Sequence, residues 1–310
     1  MATDNPSVAL PSEVARTAGS AVGERGESRW SVGSIYGLAL GALAIVYAPV
    51  LVGLFADWYS NPNYSHGFII PFAVAFIVWQ QRARLRAIPA RPSHWGLALA
   101  LLSQAEYLVG YLGAEYFLQR TSLLLLIAGG IVYVFGWKHL RLQMFSLTLL
   151  LLAIPLPQLM FNAVAFPLQL LASTWAAGLL TMCGIPVFRQ GNILLLPQRA
   201  LDVAEACSGI RSLFSLISLA MLVVYFVPVR FWVKLTIVLS AVPIALCTNA
   251  GRIAASGLLG RWFGPEYSEG FFHAFSGWLI FLVAFMALLG EASLLRRWTT
   301  RASAQPKAGA

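Results

Sequence analysis

The stretch LMFNAVAFPLQLLASTWAAGLLTMC, Leu159–Cys183, decides how this chain is arranged, because its path can be read in two ways. A helix needs roughly 20 mostly apolar residues to cross about 30 Å of hydrocarbon, so the stretch is long enough to span a membrane. Eight other apolar runs flank it: Val32–Phe55, Gly67–Val78, Trp95–Leu112, Ser122–Phe135 and Leu142–Leu156 before it, then Ile210–Phe226, Trp232–Cys247 and Ala274–Leu289. The second, fourth and fifth are short and must borrow flanking residues. If Leu159–Cys183 crosses, every loop after it changes side.

Loop charge separates the two paths, since cytoplasmic loops carry an excess of Lys and Arg. Arg25 and Arg29 precede the first run, Arg82, Arg84, Arg86 and Arg91 follow the second, and Lys138 and Arg141 follow the fourth. These agree on a cytoplasmic N-terminus. Arg230 and Lys234, and then Arg296, Arg297, Arg301 and Lys307, fall on that same side only if Leu159–Cys183 stays out of the count. The reading is therefore an all-α, polytopic membrane bundle of about eight transmembrane helices with both termini inside. Leu159–Cys183 is expected to be interfacial or re-entrant, helped by the helix-interrupting Pro155, Pro157 and Pro167. Residues 1–30 read as a disordered cytoplasmic tail, 31–295 as the transmembrane domain, and 296–310 as a second cytoplasmic tail. No cleavable signal peptide is expected, because the first 29 residues are polar.

Composition supports the same class. Of 310 residues, 59% are hydrophobic and 11% charged, with a mean hydropathy of +0.74. A soluble domain has about 45–50% apolar and about 25% charged residues. A water-soluble globular enzyme and a disordered protein are both excluded. The net charge of +9 does not point to nucleic acid, because the basic residues come in short clusters between apolar runs. The three cysteines, Cys183, Cys207 and Cys247, form no CxxC pair, and the four histidines form no HExxH. Neither a disulfide framework nor a zinc site is expected, and no cofactor.

On this topology the outer face receives Asp57–His66, Gly113–Gln119, Ile185–Ala206 and Arg252–His273. Phe188–Pro197 reads as a short outer hairpin turning at Gly191-Asn192. Cys207, in AEACSGIRSL (Ala204–Leu213), would open a helix whose unpaired amides favour a thiolate. Arg211, four residues on, would favour it further; the plainer reading is a small apolar filler. Arg252, in NAGRIAASG (Asn249–Gly257), is costly near a bilayer, roughly 2.5–3.5 kcal/mol at its centre. It either snorkels or holds a developing oxyanion, with Asn249 as a hydrogen-bond partner. His273, in FFHAFSGW (Phe271–Trp278), is either an aromatic-belt residue or a general acid/base, which its ordinary pKa near 6.5 suits. His66 falls outside too, where a structural or substrate-gating role fits better than catalysis. His94 and His139 fall inside, away from Cys207. A thiol, a guanidinium and an imidazole delivered to one face make the set that acyl transfer requires.

These three blocks, with PNYSHGFIIP (Pro62–Pro71), resemble the signature blocks of the exosortase/archaeosortase family, and the resemblance runs from about Asp57 to Leu289. It implies a multi-pass inner-membrane cysteine endopeptidase or transpeptidase facing the periplasm. Its implied substrates are exported proteins with a C-terminal tail made of a short motif (typically Pro-Glu-Pro), an apolar stretch and a basic end. Polysaccharide or lipid-linked acceptors and membrane lipid are the other implied partners. Carried onto this chain, Cys207 is the nucleophile, Arg252 the oxyanion clamp and His273 the acid/base. Glu205, Ser208, Arg211, Asn249 and His66 are the expected substrate-contacting residues. The competing expectation is a non-enzymatic transporter or scaffold of an exopolysaccharide export system. It calls for ionisable groups lining a path at mid-membrane, and Glu106 is the chief charge found within a span.

Overall fold

The computed structural model describes residues 32–197, 199–202, 209–264 and 270–304; at 32–40, 199, 202, 209–210, 270–274 and 300–304 it describes the backbone only. Its contacts divide into two compact units, Met1–Pro49 and Val50–Ala310. The first contributes the opening of helix α1 (Val32–Ser60). The second holds the rest of the fold.

After α1 come a 3-10 helix (Pro62–Phe68), α2 (Ile69–Gln80) and α3 (Arg82–Ala87), then α4 (Trp95–Leu112), α5 (Tyr116–Val134), α6 (Trp137–Leu151) and α7 (Gln158–Met182). Strands β1 (Phe188–Gln190), β2 (Ile193–Leu196) and β3 (Arg199–Asp202) precede α8 (Gly209–Phe226), α9 (Phe231–Phe263) and α10 (Gly270–Ala304). The all-α membrane class holds. Five helical stretches are long and apolar enough to cross a membrane: Gly41–Ser60, Tyr116–Val134, Gln158–Met182, Phe231–Phe263 and Phe275–Thr299. Large side chains such as Phe72 and Leu101 lie exposed on the helices, 76% and 63% respectively, as lipid-facing surfaces require. Eight spans is not the number that length and composition give. Helix α2, with 12 residues, rises only about 18 Å. It borrows length as expected, since Gln81, with φ −82° and ψ −2°, continues it into α3 almost without a break.

Helices α4 and α5 are joined by a short turn and pack backbone to backbone. A side-chain carbon at Gly96 would lie 2.2 Å from Tyr133 N and 2.6 Å from Gly129 O, and one at Gly129 would lie 2.9 Å from Ala100 N. Small residues at such a contact let membrane helices approach closely. Glu106 is accounted for there: Thr121 Oγ1 donates to its Oε1 at 2.6 Å across the pair.

A second packing centre gathers Leu54, Trp58, Tyr64, Ile70, Ile77, Leu149 and Ala153. Trp58 Nε1 donates to Ala153 O at 2.8 Å, and Gly67 lies against the indole so closely that an added carbon would sit 2.3 Å from Nε1. The glycine of the Ser65-His66-Gly67 sequence is thus the seat of a tryptophan.

Helix α7 corrects one expectation. It is a single 25-residue helix, capped by Pro157 and continuous through Pro167, so it is not a re-entrant hairpin. Its first residues, Gln158 and Phe161, share a pocket with Asp57, Glu115 and Arg120. Its last turn brings Leu180 against Gly257 of α9, where an added carbon would meet Leu180 Cδ2 at 2.9 Å. Phe161 also stacks on Phe214 near the start of α8, 6.2 Å between ring centroids. Because α8 and α9 form a hairpin across the short connection 227–230, the start of α8 and the last part of α9 lie at one end of the bundle. Both ends of α7 therefore meet residues at that end, here called the His66 end, although α7 is long enough to cross.

The expected hairpin is present and extended by a strand. Gln190 pairs with Ile193 across Gly191-Asn192, and β2 pairs in turn with β3. Gly191 has φ +64° while Asn192 stays in the ordinary region, as a two-residue turn of the II′ type requires. Leu194 and Leu201 bury against Ala172, Ala176 and Leu180 of α7 and Ile253 of α9. The sheet is pinned further by Ser173 Oγ donating to Gly191 O at 3.2 Å.

Candidate functional site

Three helices run to the His66 end around a small-residue core. Leu213, Leu216 and Ala220 of α8 pack on Ile237, Ala241 and Ala245 of α9, and both on Ala284, Leu288 and Ala292 of α10. Alanine at these positions brings the helix axes together without a hydrogen-bond cost. Ser240 Oγ donates to Glu291 between α9 and α10, so this carboxylate also has a hydroxyl partner on its neighbour.

Arg252 is the twenty-second residue of α9, about 32 Å along the axis from Phe231. With Phe231 taken at one edge of a hydrocarbon layer about 30 Å thick, that distance puts Arg252 near the other. It is not a snorkelling surface residue: it is 4% exposed, and Asn249, one turn earlier on the same face, is 6% exposed. Both are engaged by neighbouring groups. The guanidinium lies over Gly277 of α10, where an added carbon would stand 3.7 Å from Cζ and Nη1 and 3.9 Å from Nη2. The guanidinium thus rests against α10 at position 277, with room there for a methyl group but not for a longer side chain. His273 is four residues before Gly277 in the continuous α10 helix, which puts both positions on one helix face. Its side chain is outside the described residues.

Cys207, Glu205 and Ser208 lie outside the described residues. Arg211, in the first turn of α8, is exposed. Among the expected site residues, the fold unites Arg252, Asn249 and the face of α10 that carries position 273.

His66 belongs to the same end by a separate route. Its Nε2 donates to Leu152 O at 3.3 Å. Burial holds its pKa below the ordinary value, with the carbonyls of Leu152 and Asn63 opposing that shift. Its neighbour Tyr64 lies 6.2 Å, ring to ring, from Phe214 of α8, so the 3-10 helix is tied to the helix that follows Cys207 in sequence. Burial raises the Tyr64 pKa, opposed by a hydrogen bond to the Leu156 backbone.

Beside it lies a polar pocket of about 360 Å3, lined among others by Asn61, Tyr64, Glu115, Arg120 and Gln158. Arg120 is paired with Asp57, Nη2 to Oδ2 at 2.6 Å, with side chains 7% and 41% exposed. Sequence reading missed this pair. The available signal was an arginine at the mouth of the fourth apolar run facing an outer loop whose first residue is an aspartate.

Residues 58–290 match the family described as transmembrane exosortase. No curated protein and no solved structure matches the chain.

Proposed function

The chain belongs to the transmembrane exosortase family, and from that premise we propose that it is a membrane-embedded cysteine endopeptidase or transpeptidase. In this reading it removes the C-terminal sorting tail of exported proteins at the outer face of the bacterial inner membrane. The observation that carries the reading is Arg252, an arginine buried at the membrane edge and seated on Gly277, one turn from His273. A buried guanidinium offers fixed donors to an oxygen that gains charge during reaction, and such preorganised donors are worth most where water is excluded.

The chemistry follows from the residue types. The Cys207 thiolate adds to the carbonyl carbon at the recognition motif, and its oxygen takes up the negative charge facing Arg252. The tetrahedral adduct collapses and breaks the C–N bond, while the His273 imidazolium gives its proton to the departing amine. A thioester on Cys207 remains. The neutral His273 then takes a proton from water, or from an acceptor amine or hydroxyl, as that nucleophile attacks. The products are a free acid, an amide or an ester, and the thiolate is restored. The polar pocket beside His66 is the candidate seat for the motif ahead of the apolar part of the tail.

The transporter reading draws no support from the carboxylates deep within the helices, Glu106 and Glu291. Glu106 and Glu291 are each bonded by a hydroxyl of the adjacent helix, as structural pairs between helices are.

The test is made in the native host with a tagged membrane protein that bears a candidate sorting tail. Cells with Cys207→Ala accumulate the longer, tail-bearing form, whereas cells with the intact chain show the shorter one on a gel. Identical mature product in both, with the variant present in the membrane, overturns the enzyme and leaves the scaffold.

A further inference from the structure

At the end of the bundle opposite His66 there is a second cavity, of about 690 Å3. Its walls are apolar side chains of α2, α5 and α6, such as Val78, Ile131 and Leu147, and Arg86 of α3 stands among its lining residues. Three polar residues interrupt the walls. His139, Gln143 and Ser146 fall at i, i+4 and i+7 of α6, one helix face, and are 6%, 7% and 2% exposed. Each has a buried polar atom without a hydrogen-bond partner among the described residues: His139 Nδ1, Gln143 Oε1 and Ser146 Oγ.

The direction of the missing bonds is legible. His139 Nε2 approaches Leu85 O at 3.2 Å. A carbonyl only accepts, so Nε2 carries a hydrogen, and in that tautomer Nδ1 is an acceptor. Gln143 Oε1 is also an acceptor, and the serine hydroxyl serves either way. The buried face of α6 therefore presents acceptors that no donor of the described residues reaches. Water supplies donors, but the few waters that the α6 face can hold leave the rest of the volume lined by hydrocarbon, where water finds no partners. The volume lies within the about 300–1,000 Å3 of ligand pockets. An occupant that satisfies all the walls has an apolar chain for α2 and α5, N–H or O–H groups for the α6 face, and an anion for Arg86.

We infer that this cavity binds a membrane glycerophospholipid whose head group carries hydrogen-bond donors, with its phosphate at Arg86, its head-group donors on His139 and Gln143, and an acyl chain along the apolar walls. A phosphocholine head has the phosphate but no N–H or O–H, so the geometry discriminates among lipids with identical chains.

The experiment uses the full-length protein in detergent, stripped of lipid. Phosphatidylethanolamine, phosphatidylglycerol and phosphatidylcholine with matched chains are added separately, and bound lipid is counted by native mass spectrometry beside the thermal midpoint. The expected result is one tightly held equivalent of either donor-bearing lipid, with phosphatidylcholine at least tenfold weaker. Gln143→Leu and, as a smaller change, Ser146→Ala are each expected to narrow that preference to less than threefold at unchanged helical content. Equal binding of all three lipids by the unaltered protein overturns the inference. So does the absence of a saturable equivalent, or a preference that both variants retain.

Discussion

At the scale of single residues, Gly277 is the position most open to test. A methyl group there would stand at ordinary contact distance from the Arg252 guanidinium, 3.7–3.9 Å, whereas a longer side chain needs the space that the guanidinium occupies. Gly277→Ala is expected to process a tail-bearing substrate within about threefold of normal, and Gly277→Leu to lose at least about tenfold, toward the roughly 100- to 1,000-fold that removing one oxyanion donor costs. Equal rates for the two variants would separate Arg252 from the chemistry. His66 carries a pH prediction. Burial lowers its folded pKa below the ordinary value near 6.5, so the unfolded chain takes up a proton first as pH falls. The contribution is fully present above about pH 6.5 and is lost progressively below it, until the folded pKa is reached. Melting midpoints measured from pH 7.5 down to 5.5 are expected to fall, and His66→Gln to flatten that fall; parallel slopes would refute it. Arg252 and His66 could be singled out in the sequence, because charged and titratable groups beside apolar runs need a reason. The seats beneath them, Gly277 and the Leu152 carbonyl, could not, since a glycine and a backbone oxygen carry no signal until the partner helix is in place.

At the scale of elements, the α4–α5 pair is held by the absence of side chains. Backbone atoms cannot yield as a flexible side chain can, so even Gly96→Ala forces the helices apart. Overpacking of this kind costs about 1–3 kcal/mol. Gly130, on α5, has nothing within 4 Å of an added carbon, and Gly130→Ala should be neutral or stabilising by about 0.4–1 kcal/mol. Thermal unfolding of the two variants in the same detergent checks the contrast, and equal midpoints would show that the close approach does not matter. Apolar runs predicted these helices well, with Trp95–Leu112 found at its expected bounds. The hairpin was legible as well, because Gly191-Asn192 between short apolar strands has few other uses. Strand β3 was not expected. Arg199–Asp202 has mixed polarity, and its pairing with β2 is settled by Leu201 burying on α7 and α9 rather than by a pattern of its own.

At the scale of the whole molecule, the proposed orientation rests on α7. Cys183, just past its last turn, is a free and exposed thiol. In protein with Cys207 and Cys247 replaced by alanine, a membrane-impermeant maleimide added to intact spheroplasts is expected to label Cys183. Protection until the cells are lysed would mean that α7 crosses and that everything after it is inverted. Sequence could place α7 only through the charges of distant loops, because the evidence for its path is tertiary: Gln158 beside Asp57 and Arg120, and Leu180 on Gly257. On the proposed orientation, a helix kept on one side also sets a task for the machinery that builds the protein. During synthesis a 25-residue apolar segment must slip past the lateral gate of the translocon without being released into lipid. It is the least apolar of the five long helical stretches, and α10 is the most apolar. Asn162, Pro167, Gln169, Ser173 and Thr174 dilute its appeal to the bilayer. Those residues would then act before folding begins, as instructions to translocate, and a chain in which they were made apolar would be threaded with everything after α7 upside down.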